Sequence, residues 1–184
     1  MHDDMLKNLR CLFFGGFSMV GCLTQAFSTE LASASMLANA ALGAIQASAH
    51  LDQKKGRLSV VNLMCIRSLD VAELIPVFEN AILDNWNASE VAEIETFLDT
   101  SAGKKFARIA VLRSVERAGG EPHEKKPELT RAEAAALRKF SATEAGNRLT
   151  MRNRFDRLKS GEEIKAKVIE MIGTCGAVPM YPWN

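Results

Sequence analysis

The chain has 184 residues, 23 basic and 22 acidic side chains for a formal net charge of +1, and 47% apolar residues. That length suits one domain, alone or behind a removed leader. The near-neutral charge, one Tyr and two Trp exclude the basic excess and stacking aromatics of a nucleic-acid binder, so no nucleic-acid partner is expected.

The first element reads as a signal peptide, residues 1–28. Cys11 to Gln25 carry no charge, and Lys7 and Arg10 stand just before them. A short apolar run behind a basic start is a secretory signal, and Gly15, Gly16 and Gly21 break it too often for a membrane span. Asp3 and Asp4 suit such a leader poorly, so Met5 competes with Met1 as the start. Cleavage after Ser28 or after Ala26 fits the small residues there. The alternative is lipoprotein processing at Cys22, because Met19-Val20-Gly21-Cys22 resembles a lipobox. The expected location is the periplasm, or a membrane-anchored lipoprotein if Cys22 is lipidated; membrane contact is expected only in that second case.

Residues 29–184 read as an all-α domain, a small bundle of antiparallel helix pairs. Leu31 to Leu51 is Ala-rich and predicts a helix, and Gln53 to Arg57 a polar break. Leu58 to Leu69 predicts a short buried helix carrying Cys65. Asp70 can N-cap the following helix, with Glu73 as its capping-box partner, as far as about Trp86. Pro76 shifts the start of that helix or kinks it. No period-two alternation predicts a strand. Ala118 to Leu129 reads as a connector, and 173–184, with Pro179 and Pro182, as an extended tail.

Laid on itself with an offset of 43, the chain matches without gaps. Asn87 and Glu90 fall on Thr130 and Glu133, and Phe97, Thr100, Ala102 and Gly103 fall on Phe140, Thr143, Ala145 and Gly146. Asn87 or Thr130 caps a helix with Glu90 or Glu133 completing the box. Thr100 or Thr143 caps the next helix, and the glycine two residues into it lets two helices cross closely. This predicts two repeated helix–turn–helix units, 71–117 and 130–160, with buried stripes of Val91, Ile94, Leu98, Phe106, Ile109 and Leu112, then of Ala134, Leu137, Met151, Phe155 and Leu158. A Thr at a helix start could also hold an anion, but capping and close packing suffice to explain Thr-x-Ala-Gly.

The stretch Leu74 to Phe106 resembles the bacterial exported helical family DUF2059 (domain of unknown function 2059). The resemblance rests on Glu90, Phe97, Thr100, Gly103 and Lys104, and departs from the family where Leu98 replaces an aromatic and Ser101 a common Pro. It implies an exported helical domain and brings no activity with it.

With Cys11 in the leader and Cys22 removed or lipidated, Cys65 and Cys175 remain in an oxidising compartment. They read as a disulfide, against two buried thiols; a bridge closing about 110 residues contributes about 4.7 kcal/mol at most. His50 and His123 stand far apart, no metal-ligand spacing or cofactor fingerprint occurs, and the carboxylates are scattered, so no catalytic, metal or cofactor residues are expected. Arg148 and Arg152 share a helix face that could meet an anionic partner; the other reading is a solvated face. Met180, Tyr181 and Trp183 read as stapled to the bundle beside Cys175, or as aromatic anchors for a partner. The function expected is a non-catalytic envelope binding or accessory module with an envelope protein or apolar ligand as partner. Alternatives are a carrier of a lipid or other apolar ligand between helices, or an envelope hydrolase.

Overall fold

A computed structural model describes residues 30–150 and 160–177. The leader, its cleavage sites, Cys22, Met151, Arg152, Phe155, Leu158 and the tail residues Met180, Tyr181 and Trp183 lie outside the described residues. Every regular element described is helical: α1 (Ala32–Lys54), α2 (Val60–Arg67), a 3-10 turn (Val71–Glu73), α3 (Ile75–Asn85), α4 (Ala88–Asp99), α5 (Ser101–Arg117), α6 (Arg131–Ser141), α7 (Glu144–Thr150) and α8 (Gly161–Thr174).

The Ala-rich α1 is the central strut. It packs along α5 over its longest contact and also meets α2, α3 and α4. Small residues set the closeness: the Ser114 hydroxyl donates to the Ala40 carbonyl at 2.6 Å, and a Cβ added at Gly43 would stand 3.0 Å from Val115. The N-terminal amides of α1 are satisfied from outside the helix. Glu79 of α3 accepts from the Leu31 N–H, and Glu95 of α4 accepts from those of Ala32 and Ser33. Two carboxylates beside a helix N-terminus also complement its dipole. The core gathers Leu37, Ile45, Leu74, Phe78, Ile82 and Ile94 with Val168 and Ile172 of α8.

Cys65 of α2 and Cys175, just past α8, have their sulfur atoms 2.07 Å apart, bonding distance, across 110 residues. This bridge and the packing of α8 on α3 tie the C-terminal helix to the first half of the bundle.

The structure corrects several sequence expectations. Asp70 caps the 3-10 turn, accepting from the Ala72 N–H at 2.9 Å, and Glu73 closes no capping box there; its carboxylate reaches Lys167 of α8 at 3.2 Å. The cause is Pro76, which has no N–H for an interior helical bond, so α3 begins afresh at Ile75 with Pro76 in its first turn. Helix α1 runs on through Gln53 and Lys54, and the break falls at Gly56, whose φ is 70°. Helix α2 is half-buried: Leu63 and Ile66 face the core while Val60, Val61 and Met64 face solvent. Gly173 and Thr174, expected in the tail, belong to α8.

Candidate functional site

The candidate site is the pair of Phe-x-x-Thr-x-Ala-Gly turns, α4–α5 and α6–α7. Both have the same local bonds. The Asn87 side chain accepts from the Glu90 N–H at 3.0 Å while Glu90 accepts from the Asn87 N–H at 2.8 Å. Thr130 and Glu133 repeat this at 3.2 and 2.8 Å. Thr100 Oγ1 accepts from the Gly103 N–H at 3.0 Å and donates to the Phe97 carbonyl at 2.6 Å. Thr143 does the same with Gly146 and Phe140, at 3.1 and 2.9 Å.

Each glycine sits against backbone. A Cβ on Gly103 would lie 2.0 Å from the Phe97 carbonyl oxygen, and one on Gly146 would lie 1.9 Å from that of Phe140. Ala102 and Ala145 are buried alongside. The motif is thus a tight αα-corner in which the Thr hydroxyl bridges the end of one helix to the start of the next.

The two corners also complete each other. Phe97 and Phe140 stack with ring centroids 3.9 Å apart and planes 9° from parallel, and Phe106 tilts onto Phe97 at 6.0 Å. The Glu90 carboxylate pairs with Arg148 of α7 at 2.7 Å, and Glu133 pairs with Lys105 of α5 at 2.7 Å. Arg148 also donates to the Asn85 carbonyl and Lys105 to that of Glu128. Lys105 and Arg148, like Asn85 and Glu128, are 43 positions apart. Contacts of this reciprocal form, i with j′ and j with i′, are those of an isologous interface.

Charge follows the geometry. Lys105, Ser101 and the Thr130 N–H, in that order, hold the Glu133 carboxyl down to about 2. The Asn87 N–H, then Arg148, lower that of Glu90. Arg148 lies over the Trp86 ring at 5.1 Å from its centroid, a cation–π contact. The Arg148 guanidinium is committed to Glu90, Asn85 and Trp86, while Arg152, which would share its helix face, lies outside the described residues.

No group of three or more His, Cys, Asp or Glu side chains able to hold a metal occurs among the described residues. His50 faces Arg67, and His123 is exposed in the connector. The connector itself is pinned to α5 by Arg108–Glu124 and Lys126–Glu116 pairs. No described helix is long and apolar enough to cross a membrane.

Sequence reasoning missed Lys105 and Glu128, and it missed the inward role of Arg148. The signal lay in the same 43-residue offset: it carries one base onto another, two residues past each motif glycine. No family profile, curated protein or solved structure matches the chain.

Proposed function

We propose that the chain is a non-catalytic exported envelope protein, a helical binding or accessory module of the periplasm. One observation carries the reading: the acids and bases of the paired corners, Glu90 with Arg148 and Glu133 with Lys105, are consumed in crosswise ion pairs and backbone bonds. Acids and bases spent in this way hold corners together and are poorly placed to move a substrate's protons. The Cys65–Cys175 pair favours an oxidising compartment, in line with the reading of residues 1–28 as a signal peptide. The resemblance of Leu74 to Phe106 to DUF2059 points the same way. The 43-residue offset is read as an internal duplication whose two copies pack on each other.

The test is cell fractionation of the native host followed by the intact mass of the chain. The expected result is a periplasmic chain beginning at Phe27 or Thr29 and lighter by two hydrogens, or one beginning at a lipidated Cys22. A full-length cytoplasmic chain with free thiols overturns the proposal.

A further inference from the structure

From the α1–α2 corner we infer a docking site for an anionic lipid surface. Ser59 caps α2 by accepting from the Asn62 N–H, and Leu63 and Ile66 turn into the core. The opposite face then carries Val60, Val61 and Met64, which are 58%, 76% and 66% exposed. Positions i, i+1 and i+4 lie on one side of a helix, so the three side chains form one apolar knob.

The segment that bears the knob is basic. Residues 53–69 hold Lys54, Lys55, Arg57 and Arg67 and not one Asp or Glu, in a chain whose net charge is only +1. Two acids border the segment: Asp52 pairs with Arg57, and Asp70 caps the 3-10 turn by accepting from the Ala72 N–H. Lys54 and Lys55 are exposed and carry no ion pair among the described residues. A few aliphatic side chains hold a bilayer weakly, and so do a few basic ones; together they supply the two signals that stable surface attachment needs. A protein partner would need acidic groups around an apolar socket. A bilayer of anionic lipid offers phosphates and acyl chains at those depths without further shaping.

The knob is also held in place. The Cys65–Cys175 bridge fastens the inner side of α2, Asn62 donates to the Gly176 carbonyl at 3.3 Å, and Gln46 of α1 donates to the Arg67 carbonyl at 3.3 Å. A face already ordered in solution loses little conformational freedom on docking. This inference deepens the envelope reading, which it needs only to say where lipid is met. It is tested on the purified chain, so vesicle binding and export can fail separately.

The experiment is flotation of the full, disulfide-bonded chain with vesicles of equal parts phosphatidylglycerol and phosphatidylcholine, or of phosphatidylcholine alone. A photoactivatable phosphatidylglycerol included in the vesicles maps the contact. Preferential flotation with the anionic vesicles is expected, with lipid adducts on the tryptic peptide Leu58–Arg67 after reduction. Lys54→Gln with Lys55→Gln lowers partitioning about 30-fold, and Val61→Ser with Met64→Ser removes the adducts while the melting curve is kept. Equal binding of wild type and both variants, or adducts confined to other peptides, overturns the site. So does a monomer–dimer shift in the Val61→Ser, Met64→Ser variant without any vesicle binding, which assigns the face to a second copy of the chain.

Discussion

Phe97 and Phe140, 43 residues apart in the chain, lie ring on ring with centroids 3.9 Å apart. Both are buried, so each ring closes the apolar wall of the other's turn. Replacing either by Ala opens a cavity that the other ring lines, and about 3–5 kcal/mol of stability is lost. A double-mutant cycle read by urea unfolding is expected to show about 0.5–1.5 kcal/mol of coupling between them. Strict additivity contradicts the stacking.

Gly103→Ala and Gly146→Ala reverse the usual sign of a helical Gly→Ala change. Alanine is ordinarily better inside a helix by about 1 kcal/mol. Here the methyl group meets the carbonyl of Phe97 or Phe140 at 2.0 or 1.9 Å, and backbone cannot swing aside as a side-chain tip does. Each variant is expected to lose about 1–3 kcal/mol in a denaturant melt. Gly173→Ala supplies the contrast within the same chain: nothing lies within 4 Å of its added Cβ, so that variant gains stability.

Acid sensitivity should centre on Glu133. Its folded-state pKa of about 2 lies below the ordinary value of 4.5, chiefly through Lys105 and then Ser101. Its contribution is complete above the unfolded value and fades as pH falls from there toward 2. Glu90, lowered first by the Asn87 N–H, works in the same direction. Stability measured by denaturant melts between neutral and strongly acid pH is expected to fall more steeply for wild type than for Glu133→Gln. The variant starts lower at neutral pH, and identical slopes would sink the assignment.

Opening the Cys65–Cys175 bridge lengthens the unfolded chain's freedom across 110 residues. Cys65→Ser with Cys175→Ser is expected to cost up to about 4.7 kcal/mol in thermal or urea unfolding. Thiol labelling of the denatured, unreduced protein should find both sulfurs protected. Full labelling of either contradicts the bridge.

What could be read from the chain was local. Asn87-to-Glu90 and Thr130-to-Glu133 are capping boxes because every partner sits within three residues, and hydrogen bonds of that reach are written in consecutive letters. Partners drawn from distant segments were not legible. Glu95 capping α1 across 62 residues, and Glu73 turning to Lys167 instead of its own helix, depend on how the helices cross. The exposure of α2 was hidden for a related reason: Val60, Val61 and Met64 read as core by residue type, and only the position of α2 on the bundle turns them outward. Within the candidate site, Thr100, Thr143 and the two glycines could be identified by type and spacing, while the exchange of Glu90 and Glu133 between corners needed the third dimension.

That exchange makes the connector more than a passage between two helices. Each corner finishes the other, so the two behave as binding partners joined by a leash, and the leash is clipped to α5 by Arg108–Glu124 and Lys126–Glu116. A short tether of this kind gives its ends a local concentration in the millimolar range. Weak individual links therefore suffice to keep the corners closed at any dilution. Cutting the chain between Gly120 and Glu128 would leave the Cys65–Cys175 bridge as the one covalent link between the two pieces, so that only reduction would turn a concentration-independent fold into a concentration-dependent association.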